Sequence, residues 1–137
     1  MSARFYLWVS ALSGAVSVAL GAFGAHGLKK VVSVDMLATY QTGVQYQFIH
    51  SLALLALAIL LFMPAAKGVS KLLKLSANLM IVGIMLFSGS LYTMTFMSAA
   101  DGFPAWLGPI TPIGGLAFIM GWIFLLVAAF KLPIDEQ

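Results

Sequence analysis

The stretch Gln41–Met63, QTGVQYQFIHSLALLALAILLFM, decides the class of this protein. Its first third is polar, with Gln41, Gln45, Tyr46 and Gln47, and the remainder is an almost unbroken run of Leu, Ile and Ala. Val44–Met63 is long enough as a helix to cross a hydrocarbon core of about 30 Å, and Pro64 stops it. Tyrosines apart, His50 is the one titratable side chain inside any strongly apolar segment of the chain.

Composition extends that reading to the whole molecule. Of 137 residues, 62% are hydrophobic and only 8% charged, where a soluble domain carries about 25%. Seven Lys or Arg and four Asp or Glu cannot build a water-facing surface, and the mean hydropathy of +1.05 agrees. With so few charges, the basic balance of +3 points to membrane topology rather than to nucleic acid. Cysteine is absent, which excludes disulfides, thiolate metal sites and cysteine nucleophiles.

Three further spans flank the deciding stretch. Phe5–Gly24 follows Arg4 and is about 20 residues long, longer than the apolar core of a signal peptide, so it reads as an uncleaved helix. Its small residues Ser10, Gly14, Ser17, Gly21 and Gly24 fall on one face and offer a smooth stripe for helix packing, inside the chain or against a second copy. Gly27 ends this helix, Ser33 caps a new one, and Val34–Gln41 is expected to form a short interfacial helix, with a bend at Gly43 before the second span. Ala65–Lys74 is expected to be a loop, Leu75–Met97 the third span, and Ser98–Ile110 a turn-rich connection with Phe103 and Trp106 as interfacial anchors. Thr111 and Pro112 read as cap and first-turn proline of a fourth span ending at Phe130. The fold expected is an all-α, four-helix transmembrane bundle forming one domain over residues 1–137, with spans near 5–24, 44–63, 75–97 and 112–130.

Counting Lys and Arg orients it. Arg4, Lys67, Lys71, Lys74 and Lys131 share one side against Lys29 and Lys30 on the other, which puts both termini in the cytoplasm. His50 then lies about 9 Å below the outer end of the second span, and Ser90 about 10 Å below the same surface. Ser17, Gly21, Gly114 and Gly115 share that half, while Leu57–Phe62, Leu79–Phe87 and Ile123–Phe130 fill a dry inner half. An outward-facing polar pocket is therefore expected from His26, Gln45, Tyr46, Gln47, His50, Ser88, Ser90, Thr93 and Asp101, with Gly114 and Gly115 serving close helix packing.

An ionisable residue within a span is a functional candidate by default, yet a neutral imidazole also ties helices together through serine hydroxyls or backbone carbonyls. His26 and His50, with Met80, Met85, Met94 and Met97, raise the thought of copper or haem, but two histidines without a spacing motif specify neither. All four acidic residues lie in connections or the tail, so no intramembrane carboxylate pair is available for acid–base work. No phosphate-binding loop, HExxH or GxSxG motif is present. No enzyme activity, metal or cofactor is therefore expected.

Four motifs carry a resemblance: GAFGAHGL at Gly21–Leu28, TGVQYQFIHSLALL at Thr42–Leu55, FSGSLY at Phe87–Tyr92 and PITPIGGLAFIMGW at Pro109–Trp122. In this order they resemble the small four-helix membrane proteins of domain-of-unknown-function family 423, whose eukaryotic relative is transmembrane protein 256. The resemblance covers nearly the whole chain and implies an inner-membrane protein of four helices. It supplies no activity, because the family is named for lacking one. The motif positions include His26, Gln45, Tyr46, Gln47, His50, Ser88, Ser90, Pro112, Gly114 and Gly115.

Three functions follow as expectations. The preferred one is a non-enzymatic membrane protein that contacts lipids, a homo-oligomeric copy or another membrane protein. A small oligomeric transporter or channel using the outward-facing polar pocket around His50 is the second, and a metal or haem protein using His26 and His50 is the third.

Overall fold

The computed structural model describes residues 1–100 and 102–133. The described residues are helical almost throughout. Helix α1 spans Ala3–His26, α2 Val34–Phe62, α3 Ser70–Gly83, α4 Gly89–Ser98 and α5 Ile110–Lys131. A π-helical turn, Ile84–Ser88, joins α3 to α4, so the two form one continuous third span. Four helical runs are long and apolar enough to cross a membrane: Ala3–Lys30, Val34–Phe62, Pro64–Ser98 and Ala105–Lys131.

Local chemistry sets most boundaries. Ser2 accepts a hydrogen bond from the Phe5 amide and opens α1, and Gly27 closes it with its N–H on the Phe23 carbonyl. Ser33 caps α2 through the Met36 amide at 3.2 Å. Pro64 ends α2 and starts a 3-10 segment, Pro64–Val69.

Four sequence expectations need correction. Val34–Gln41 is no separate interfacial helix. It forms the first two turns of an unbroken α2 of 29 residues, about 43 Å long. Gly43 does not bend that helix; a Cβ there would come within 2.9 Å of the Tyr92 ring, so the glycine admits α4 instead. Ala65–Lys74 is not a loop, since its second half, with Lys71 and Lys74, already belongs to α3. Thr111 does not cap α5, which starts at Ile110 without a side-chain cap; the Thr111 hydroxyl meets Ser90 Oγ at 2.7 Å.

The helices pack as two close antiparallel pairs, α1 on α2 and α5 on α3, and α2 joins the pairs by lying against the third span. Tyr40 against Gly24, Val44 against Gly21 and Ser51 against Ser10 set the register of α1 on α2. Gly83 against Phe118 and Ser76 against Gly121 set that of α3 on α5. The main apolar core gathers Tyr6, Leu54, Leu57, Leu73, Met80 and Phe118. Outward faces are strongly apolar, as at Trp8, Leu12, Leu116, Leu126 and Phe130, which suits lipid as the surrounding solvent. The α1–α2 and α4–α5 connections lie at the distal end, and α1 begins and α5 finishes at the opposite, terminal end.

Candidate functional site: the polar interior and the α2–α5 groove

His50 is nearly buried, and both its ring nitrogens are engaged. Nδ1 lies 2.8 Å from the Tyr46 carbonyl one turn back. A carbonyl only accepts, so Nδ1 carries the proton. Nε2 is then the acceptor for the indole N–H of Trp122 at 3.3 Å. The imidazole also stacks on Phe118 with ring centres 3.5 Å apart, and Tyr46 stacks on Phe87 at 4.4 Å. This arrangement consumes the neutral tautomer completely: one donor, one acceptor and one ring face.

Trp122 also corrects the expected depth. It lies twelve residues into α5 from Ile110, and His50 twelve residues before the end of α2 at Phe62. Both counts put the imidazole about 18 Å along a helix from a span end, near the mid-length of the bundle rather than close to one end of the second span.

A second network occupies another face of α2. Gln47 Nε2 donates to the Ser13 carbonyl at 3.0 Å, while its Oε1 accepts from the Tyr92 hydroxyl at 2.8 Å. Ser51 donates to the Gln47 carbonyl at 2.7 Å and lies 2.8 Å from Ser13 Oγ, and Ser10 donates to the Ser51 carbonyl at 3.0 Å. Three spans are tied together through one glutamine.

Of the other anticipated pocket residues, Gln45 and Tyr46 line one groove with His50, and the rest lie elsewhere. Gln45 and Tyr46 are exposed on α2, His26 is exposed at the end of α1, and Thr93 is exposed with its hydroxyl returned to the Gly89 carbonyl. Ser90 bonds Thr111 and the Phe87 carbonyl near the distal end. Ser88 Oγ is buried without a hydrogen-bond partner among the described residues. Asp101 lies outside the described residues. The register of α1 on α2 places Ser10 and Ser13 at the level of His50. His26 comes at least 13 residues after them on α1, about 20 Å away, so the two histidines cannot share an ion. Among the described residues no group of three or more His, Cys, Asp or Glu gathers.

The packing residues differ in what they do. A Cβ on Gly114 would collide with the backbone of Phe87, one on Gly24 would come within 2.8 Å of the Tyr40 ring, and one on Gly21 would meet Val44 at 3.4 Å. Gly115 meets only the Phe87 ring, at 3.9 Å, and Gly14 meets nothing within 4 Å. Ser17 is buried and donates to the Gly14 carbonyl at 2.7 Å.

Sequence reasoning missed the partners that matter most. Trp122 and Phe118 carry no mark in the sequence that pairs them with His50. Asn78 was visible as a lone amide in an apolar span; it accepts from the Tyr6 hydroxyl at 2.9 Å. With Ser76 donating to the Gly121 carbonyl at 2.7 Å, it overturns the expectation of a dry terminal half.

Two grooves flank α2. One of about 490 Å³ runs between α2 and α5, lined by Gln45, Tyr46, His50, Phe87, Phe118 and Trp122 among others. The other, of about 390 Å³, lies between α1 and α2 beside Ser17, Gly21, Val44 and Phe48. Both have exposed side chains in their walls.

Comparison with known proteins fixes the family. A family model described as a protein of unknown function (DUF423) matches residues 20–115, which include α2 and the whole third span. The chain belongs to the DUF423 family. The UPF0382 membrane protein of Haemophilus influenzae is 44% identical to this DUF423 chain over 126 residues, 92% of the chain and 94% of the relative. The UPF0382 inner membrane protein YgdD of Escherichia coli K12 is 39% identical over 132 residues, 96% and 94% of the two chains. A Bacillus subtilis relative, the UPF0382 membrane protein YwdK, is 39% identical over 128 residues, 93% and 98%. No solved structure matches this DUF423 protein. With four apolar helices and relatives named as membrane proteins, it is an integral, multi-pass membrane protein.

Proposed function

We propose that the protein is a non-enzymatic component of the bacterial inner membrane that works by lateral contact, through helix faces turned to lipid and to other membrane proteins. The closed state of His50 carries this reading. Its donor is taken by the Tyr46 carbonyl and its acceptor by Trp122, so the imidazole acts as a tie between α2 and α5. Gln47 has the same character, spending donor and acceptor on α1 and α4. What is left for interaction is the outer surface. The excess of Lys and Arg at the terminal end, five against two, supports cytoplasmic termini, and the name of the Escherichia coli relative supports the inner membrane.

Native mass spectrometry of the protein released gently from membranes tests this. Phospholipid or another protein chain as the only bound mass is the expected result; a stoichiometric metal, haem or small solute overturns it. His50→Gln, which keeps an acceptor for Trp122, is expected to stay within about 1 kcal/mol of the parent in unfolding measurements. His50→Leu, which strands the indole N–H, is expected to fall further. Solute flux into proteoliposomes that vanishes in a folded His50→Gln variant would instead establish a transporter.

A further inference from the structure

The face of α2 that no other helix covers carries a polar group where lipid offers it nothing. Gln41, Gln45, Phe48, Leu52, Leu55 and Ile59 follow at spacings of 4, 3, 4, 3 and 4 and form one stripe. All but the half-buried Leu55 are exposed. Within it, Gln45 has no hydrogen-bond partner among the described residues, in contrast to Gln47 two positions on. Its level is marked twice. Val44 lies against Gly21, five residues inside the end of α1 at His26, and Gln45 shares a groove with Gly115, five residues inside the start of α5 at Ile110. Both put it about 8 Å of helix inside the distal end. Gln41, a turn nearer that end, has headgroups and water within reach, whereas Gln45 faces hydrocarbon, where an amide without a partner is costly.

An amide is self-complementary, with two donors and two acceptor lone pairs, so it can pair with its own copy across a two-fold axis. The 3.5-residue spacing of the stripe is that of a helix pair packing side chains into holes, with a single polar position fixing the register. The groove between α1 and α2 lies alongside, held open by Ser17 and Gly21 and bordered by Phe48. It offers a seat for an aromatic ring from an identical stripe.

We propose that the exposed stripe of α2 is a homodimer seam, closed by a Gln45 amide pair between two copies of this chain. This rests on the lateral-contact reading above and names its first partner. The test exploits the absence of cysteine from the chain. Single substitutions Gln45→Cys, Phe48→Cys and Leu52→Cys are oxidised in native membranes, with Leu126→Cys on the exposed face of α5 as the control. Disulfides need Cα atoms within about 7 Å, so the three seam positions are expected to give a covalent dimer and Leu126→Cys to give none. Separately, Gln45→Leu, which touches no hydrogen bond within the chain, is expected to weaken dimerisation about tenfold in a bilayer dilution series, and Gln45→Asn to retain most of it. Seam cysteines that cross-link no better than Leu126→Cys, or a Gln45→Leu chain that dimerises like the parent, would overturn the seam. Cross-linking only to a different protein would overturn it too, while leaving lateral contact standing. Solute flux or a bound metal would remove that broader reading instead.

Discussion

Gly114 and Gly14 look equivalent in sequence, as small residues placed for helix packing, but alanine separates them. At Gly114 the new methyl group would run into the backbone of Phe87. No rotamer change can move that obstacle, because the colliding atoms belong to the main chain of the π-helical turn. Either α5 retreats from the third span or the turn deforms, and forced overpacking of this kind costs about 1–3 kcal/mol. At Gly14 a methyl group meets nothing within 4 Å. Both positions are inside helices, so both variants gain the propensity of alanine over glycine, about 0.8–1 kcal/mol. That gain cancels in the comparison. Gly14→Ala is therefore expected to equal or exceed the parent in stability, with Gly114→Ala about 1–3 kcal/mol below Gly14→Ala. Unfolding by steric trapping in bicelles, or by SDS titration in mixed micelles, reads the difference directly. Equal stabilities for the two variants would show that α5 does not approach Phe87 as closely as described, and would refute the packing argument for this pair.

Other perturbations bear on the polar interior. Ser88→Ala removes a buried hydroxyl with no partner and is expected to stabilise by about 1 kcal/mol, whereas Ser90→Ala breaks the contact with Thr111 and is expected to cost about 0.6 kcal/mol; the same unfolding assay gives both signs. Tyr92→Phe leaves Gln47 Oε1 without its donor and is expected to cost about 1–2 kcal/mol. Combined with Gln47→Leu, it is expected to cost less than the sum of the single changes, since the two groups share one bond. Strict additivity in that cycle would show that the bond contributes nothing.

The spans were legible because each is a long apolar run, and their ends because Ser33, Gly27 and Pro64 are local signals that tertiary packing does not override. The family followed from motifs that cover most of the chain. Continuity of α2 through Gly43 was not legible: a glycine permits a bend but does not require one, and here its missing side chain admits Tyr92. The partners of His50 were hidden for a different reason. Depth along a helix can be counted from sequence, but the rotation of one helix about its axis relative to another cannot. Ser90 and His50, expected at one level, ended on separate contacts with Thr111 and Trp122.

The π-helical turn at Ile84–Ser88 has a consequence for the whole third span. A turn of this kind holds an extra residue, which rotates everything after it by about 100°. In α3 the buried side, Ser76, Met80 and Gly83, is presented to α5, while in α4 Leu91 and Thr95 are presented to α2. Deleting a single residue within that turn would swing Leu91 and Thr95 away from α2 while leaving α3 engaged. The third span therefore works as a phase-shifted gear, meshed with one neighbour along each half, and it is chain length rather than side-chain chemistry that sets the phase.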